Sequence, residues 1–126
     1  MATAEYPAEL KYHKEHDWVR VDGDVAEFGV TWHAQDALGD IVFFQPPAVG
    51  DPVNADSSYG ELESVKAVSD VIAPVDGEVV AINEEVVEKP ELVNETPYGA
   101  WLIRVKLKSP AQLDELLDAD EYQGLL

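Results

Sequence analysis

Turn-forming residues cut the chain between Trp18 and Leu107 into runs too short for anything but strands and brief helices. Trp18-Val19-Arg20-Val21 reads as a strand, Asp22-Gly23-Asp24 turns the chain, and Val25-Ala26-Glu27-Phe28 reads as the hairpin partner. Ile41-Val42-Phe43-Phe44 is a continuous apolar run, expected as a buried strand that Pro46-Pro47 stops. Further strands are expected from Tyr59 to Ser64, Ala67 to Ile72, Gly77 to Ile82 and Trp101 to Leu107, with turns at Pro74, Asp76-Gly77 and Pro97. Many short strands at close spacing imply an all-β barrel or sandwich. Thr31 is placed to N-cap a short helix over 31–38 that Gly39 ends. Ser109-Pro110-Ala111-Gln112 has the form of a capping box with proline at the first helical position. Leu113, Leu116 and Leu117 follow at helical spacing, so a C-terminal helix near 110–124 is expected on the sheet.

The 126 residues amount to one domain, expected to span 1–126, and a chain of this length buries enough surface for a real core. The 46% hydrophobic content excludes wholesale disorder. Twenty-six acidic residues face eight basic ones, a net charge of −18. That excess argues against nucleic acid and anionic membranes, and favours basic protein partners. With no cysteine there is no disulfide, no thiol nucleophile and no Cys-based zinc site. Residues 1–10 hold no Lys or Arg, so they lack the form of a targeting signal. They are expected to be a loosely ordered segment. No apolar stretch approaches the ~18 residues that cross a bilayer. The expected compartment is the cytoplasm, or an organelle interior if a presequence has been removed. A faint internal echo pairs Gly39-Asp40-Ile41-Val42 with Gly77-Glu78-Val79-Val80, Val53-Asn54 with Val93-Asn94, and Tyr59-Gly60 with Tyr98-Gly99. Two similar halves would share one core about a pseudo-twofold axis.

The usual catalytic signatures are absent: no Gly-rich phosphate loop, no GxSxG elbow. His13-Lys14-Glu15 has the H-x-E form of zinc deaminases without their cysteines. His13 and His16 lack an evident third metal ligand and are read as surface histidines. Asp22-Gly23-Asp24 lacks the rest of a calcium loop and is read as a hairpin turn. Trp18, Trp32 and Trp101 are read as core residues and Gly77 as a residue fixing the turn after Pro74. One site remains. In Glu61-Leu62-Glu63-Ser64-Val65-Lys66-Ala67-Val68-Ser69-Asp70 a lone lysine sits between two strand-like flanks, the pattern of a hairpin with lysine at its tip. By itself this is equally the pattern of a solvated lysine countering nearby carboxylates. A hairpin tip is also where an attached arm could swing freely.

These residues resemble the glycine cleavage H proteins, a family of lipoyl carriers. The likeness runs from about Tyr12 to Tyr122. It rests on Glu61 through Asp70, Ala73-Pro74-Val75-Asp76-Gly77-Glu78-Val79, Pro90-Glu91-Leu92-Val93-Asn94 with Pro97-Tyr98-Gly99, Ala34-Gln35 with Leu38 through Phe43, and His16-Asp17-Trp18-Val19. The resemblance implies a lipoyl/biotinyl-type hybrid barrel-sandwich of two antiparallel sheets. It implies lipoic acid in amide linkage to Lys66, and a carrier in place of a catalyst. The cargo would be the aminomethyl group of glycine. It would be received from a pyridoxal-phosphate decarboxylase and passed to a folate-dependent aminomethyltransferase. A flavin-containing dihydrolipoamide dehydrogenase would then reoxidise the arm. A lipoylating enzyme is the fourth partner, with Glu63 and Asp70 serving its recognition, and the carrier itself is expected to be a monomer. Asp17 takes the place of the family acid that holds the loaded amine in a cleft, one methylene shorter than the usual glutamate, and Asp70 matches another cleft position.

Three departures from the family pattern stand out. The stretch from Tyr98-Gly99 to Trp101 is one residue short, Gln45-Pro46 replaces a Glu-Leu, and Trp32 stands where an acid is usual. The loop before Trp101 is expected to absorb the shortening, since a slip within a strand would flip its faces. A biotin carrier has a related hairpin, but its lysine is typically flanked by methionines; here Val65 and Ala67 flank Lys66. The residues also fit an H-like lipoyl carrier for another pathway, such as lipoyl relay or sulfur metabolism, or an unmodified acidic interaction module.

Overall fold

The computed structural model describes residues 5–126. Among the described residues nine strands form two antiparallel sheets. Strands β1 (Lys11–Tyr12), β2 (Asp17–Asp22), β3 (Val25–Val30), β5 (Pro52–Val53), β8 (Gly77–Ile82) and β9 (Ile103–Leu107) make the larger sheet, in the order β1-β2-β3-β9-β8-β5. Strands β4 (Ile41–Gln45), β6 (Ser58–Ser64) and β7 (Val68–Ile72) make the smaller, in the order β4-β6-β7. The expected mostly β, two-sheet architecture is the one adopted, with the sheets as separate ladders and not one closed barrel. Between them Phe28, Phe44, Leu62, Val75, Val79, Ile103 and Val105 are fully buried. Each such side chain contributes about 1.5–3 kcal/mol on leaving water.

Helix α1 (Trp32–Leu38) starts and stops where the sequence signals it. Thr31 accepts a hydrogen bond from the Ala34 N–H, and Gly39 closes the helix at φ 82° by donating to the Gln35 carbonyl. Short helices α2 (Glu84–Glu88) and α3 (Leu92–Glu95) cross between β8 and β9; five- and four-residue helices leave too little periodicity to read from sequence. The expected helix over 110–124 is not continuous. Pro110–Glu115 is a 3₁₀ turn in which Ser109 makes no side-chain cap, and α4 (Ala119–Gln123) follows separately. The working capping box is Asp118 with Glu121, each side chain bonding the other's backbone N–H. The interruption lets Leu117 pair with Tyr12 at the edge of β1.

Ile41–Gln45 is a strand, but not a buried one. A register shift between Ile41 and Phe43 leaves Ile41 and Phe44 inside and Val42 and Phe43 about half exposed, at 49% and 44%. A second shift lies in β6 between Ser58 and Gly60. Such bulges re-phase a strand, because the side-chain period is two. Two of the three echoed pairs differ in structure: Val53 lies in a strand and Val93 in helix α3, while Tyr59 lies in a strand and Tyr98 in a turn. Gly77 is not a turn-fixing residue. A Cβ there would lie 2.2 Å from Val105 Cγ1 and 2.4 Å from the Lys106 carbonyl oxygen, so glycine permits close approach of β8 to β9. Residues 100–102 form no regular element, and β9 begins only at Ile103.

A second core, separate from the one between the sheets, gathers Leu10, Tyr12 of β1, Trp18 of β2, Ala119 and Tyr122, with Tyr6, Tyr98, Trp101 and Leu117 against them. Of the segment expected to be loose, residues 1–4 lie outside the described residues, while Tyr6 and Leu10 belong to this cluster. Trp18 is fully buried and donates to the Pro97 carbonyl, whereas Trp32 and Trp101 are only partly covered. No helix among the described residues is long and apolar enough to cross a membrane.

Candidate functional site

Strands β6 and β7 form the hairpin that the sequence predicts, and residues 65–67 are its turn. Ser64 shapes that turn. Its hydroxyl accepts from the Lys66 N–H at 3.3 Å and the Ala67 N–H at 3.1 Å, while its backbone N–H donates to the Ala67 carbonyl at 2.7 Å. Lys66 is exposed, and its side chain crosses Gly39. A Cβ on Gly39 would lie 3.4 Å from Lys66 Cε and 3.8 Å from Nζ. Asn94 pins the Gly39 segment from beneath. It donates to the Gly39 carbonyl and to Gln35 Oε1, and accepts from the Ile41 N–H. The lysine therefore rests on a braced platform and reaches into solvent.

Beside the hairpin, a cleft of about 200 Å³ opens between α1 and strands β6 and β7. Val30, Ala34, Ala37, Leu38, Leu62 and Val71 give it apolar walls, and Asp17, Asp70, Glu15, His16, His33 and Ser69 supply its polar groups. A larger hollow of about 420 Å³ lies between residues 12–14 and 112–117, and no residue of the Lys66 hairpin or of α1 lines it.

Of the predicted site residues, Asp17 and Asp70 meet in the cleft; Lys66 and Glu63 stand outside it on the hairpin. Glu63 is exposed between Phe43 and Val68. Asp70 is exposed and accepts from the Ser58 hydroxyl at 3.3 Å. Asp17 is 1% exposed, and Tyr59 donates its hydroxyl proton to Oδ2 at 2.6 Å. Burial pushes the Asp17 carboxyl well above the ordinary carboxylate range; the Tyr59 hydroxyl and a backbone bond from Ile72 oppose this only in part. Tyr59 is pushed up in turn by its own burial and by Asp17.

The histidines differ from the surface reading. His13 is 5% exposed; its Nε2 lies 2.6 Å from Asp56 Oδ1 and its Nδ1 accepts from the Glu15 N–H. His16 is half-buried, and its ring lies 4.7 Å from that of His33. No metal-ligand cluster exists among the described residues. Sequence reasoning missed Tyr59, Ser64, Asn94 and His33 as site residues. The Glu-Ser-Val-Lys run contained the signal for Ser64, a hydroxyl two residues before the lysine where it can cap the turn.

The glycine cleavage H-protein family model matches residues 10–126. The chain belongs to that family. It is 54% identical over 121 residues to a glycine cleavage system H protein of Carboxydothermus hydrogenoformans, covering 95% of this chain and 93% of that one. It is 52% identical to one of Staphylococcus carnosus, covering 95% and 96%. A crystal structure of a glycine cleavage system H protein from Mycobacterium marinum superposes with a TM-score of 0.86 at 42% identity, covering 94% of this chain and 96% of that one. Family members are the lipoyl carrier component of the glycine cleavage system.

Proposed function

We propose that Lys66 is the lipoyl attachment residue, and that the chain works as a mobile carrier between enzymes and not as an enzyme itself. The observation that carries this reading is the pairing of an exposed lysine on a braced turn with an apolar cleft beside it. A lipoyl group in amide linkage would supply a dithiolane on a flexible arm, able to take the aminomethyl group of glycine on sulfur.

The residues present suit that group. Lys66 offers a primary amine to a lipoylating enzyme from the solvent side, with its stem passing beside Gly39. Val30, Ala34, Leu38, Leu62 and Val71 would exclude water from whatever docks in the cleft, which protects a hydrolysable cargo. Asp17 is the group suited to a cationic amine. Its raised basicity favours a proton on the carboxyl. An arriving cation favours the charged form, so docking would release that proton and leave a charge-assisted hydrogen bond. Tyr59, already donating to Oδ2, steadies the carboxylate that results. Asp70 adds negative charge at the cleft, and Glu63 flanks the lysine on the face a lipoylating enzyme would meet.

The same reading names the partners as the pyridoxal-phosphate glycine decarboxylase, the folate-dependent aminomethyltransferase, the flavin dihydrolipoamide dehydrogenase and a lipoylating enzyme. Tethering raises the effective concentration of the cargo at each. The named bacterial relatives are consistent with a cytoplasmic carrier working beside those enzymes. The test is intact mass after incubation with lipoate, ATP and a lipoate ligase. One lipoyl mass on wild type and none on Lys66→Arg is expected; modification of the variant, or none of wild type, refutes it. Glycine-dependent CO₂ exchange with the decarboxylase then separates glycine cleavage from other lipoyl-dependent pathways.

A further inference from the structure

One hydroxyl joins the C-terminal helix to both walls of the cleft. Tyr122 of α4 is fully buried, and its ring stacks on Tyr12 at 4.9 Å and 13°. Its oxygen lies 2.7 Å from Thr31 Oγ1 and 2.7 Å from His16 Nδ1. Thr31 is the N-cap of α1, one wall of the cleft. His16 lines the cleft from the segment entering β2, where its backbone is held left-handed at φ 80° and its carbonyl accepts from the Thr31 N–H at 3.0 Å. The capping box that starts α4 and the stacking on Tyr12 fix the phenol from behind.

The proton directions follow from counting donors. A phenol has one proton and two neighbours here. Thr31 Oγ1 accepts from the Ala34 N–H and retains its own proton, which it can give to the Tyr122 oxygen. Tyr122 is then free to donate to His16 Nδ1, provided that atom carries no proton. Burial, His33 and His13 all lower the basicity of His16, with only Glu15 opposing them, so the ring is neutral near neutral pH. A neutral ring accepting at Nδ1 carries its proton on Nε2.

We propose that Tyr122 is a positioning residue of the cleft: its hydroxyl holds His16 as the Nδ1-accepting tautomer, so that Nε2–H is the donor His16 offers to an acceptor atom of the docked arm. The final clause rests on the reading that the cleft receives the arm; the tautomer does not.

The test begins on the unloaded full chain with ¹⁵N-labelled histidine, using two-bond ¹H–¹⁵N correlations to read the His16 tautomer. Wild type should show Nδ1 unprotonated and Nε2 protonated. Tyr122→Phe should give mixed tautomers and a His16 that titrates at higher pH, because the bond favouring the neutral form is gone. Tyr12→Phe removes a hydroxyl of the same aromatic cluster, bonded 2.7 Å from the Pro7 carbonyl, and should leave His16 unchanged. A proton on Nδ1 in wild type overturns the proposal, and that measurement decides even where a variant does not fold. An unchanged His16 in Tyr122→Phe, or an equal change in Tyr12→Phe, overturns it too. On lipoylated, loaded protein, Tyr122→Phe should release the carried group about two- to tenfold faster, the equivalent of one lost hydrogen bond. Equal release rates would remove the role toward the arm. Release from wild type as fast as from a free lipoamide adduct would sink the cleft assignment instead, and the tautomer would still stand or fall on its own spectrum.

Discussion

Replacing Asp17 by asparagine should change how stability depends on pH, in a sense opposite to that of most surface carboxylates. Asp17 is 1% exposed, and burial raises its pKa in the folded chain well above the ordinary 3.8. Between those two values the folded protein holds a proton that the unfolded chain has lost. Asp17's contribution to wild-type stability is therefore greatest below the ordinary pKa and declines as pH rises, levelling off once Asp17 ionises in the fold. The slope in that window is about 1.4 kcal/mol per pH unit. Asparagine does not titrate, so the variant lacks this decline. Its amide also mispairs with one of the two donors that face Asp17, the Tyr59 hydroxyl and the Ile72 N–H, at a cost of about 1–3 kcal/mol. That cost is the same at every pH and shifts the comparison without tilting it. The stability of Asp17→Asn minus that of wild type should thus climb with pH from about pH 4 upward, at up to about 1.4 kcal/mol per unit. Urea unfolding followed by the fluorescence of the three tryptophans, Trp18, Trp32 and Trp101, repeated from about pH 4.5 to 7.5, measures it. A difference that stays flat across this range, or falls, would show that Asp17 is ionised throughout and would remove the reasoning about its proton.

Other consequences are as direct. Lys66→Arg should leave the melting temperature almost unchanged, within about 0.5 kcal/mol, because the exposed turn side chain packs on little; a clear drop would mean that Lys66 is structural. Ser64→Ala removes the acceptor for two turn N–H groups, so lipoylation by a ligase should slow several-fold while the fold is kept, as single-turnover mass spectrometry would reveal. Gly77→Ala forces a Cβ against the Lys106 carbonyl and should cost at least about 1–3 kcal/mol in chemical denaturation, with an unaltered midpoint contradicting the close-approach argument. Association with partner enzymes should slow as salt is added, since a net charge of −18 steers encounter; an on-rate indifferent to ionic strength would count against it.

The mostly β character, helix α1 with both caps and the Lys66 hairpin were legible because each is written locally, in turn residues and apolar runs; the division into two sheets came with the family resemblance. Tyr59 was not legible. Taken with a strict period of two, Tyr59 should face the same way as Glu61 and Glu63, toward solvent. The bulge between Ser58 and Gly60 rotates it inward beside Leu62, where its hydroxyl finds Asp17 forty-two residues away in sequence. The same device explains why Val42 and Phe43, adjacent in the apolar run, both face outward. His13 and His16 were misjudged for a related reason: their partners Asp56 and Tyr122 come from distant segments, and nothing in the local pattern announces them. The broken C-terminal helix reflects Leu117, which is drawn out of helical geometry to close an edge on Tyr12.

The paired irregularities in β4 and β6 also set a limit for anyone who would transplant this lysine-bearing loop into another scaffold. A graft confined to the loop and a few flanking residues would inherit ordinary alternation, sending the phenol outward and leaving the aspartate without its companion. Turning the phenol inward takes both bulged strands, β4 and β6, and its companion Asp17 lies outside that ladder on β2, so a recipient scaffold would have to supply a carboxylate of its own.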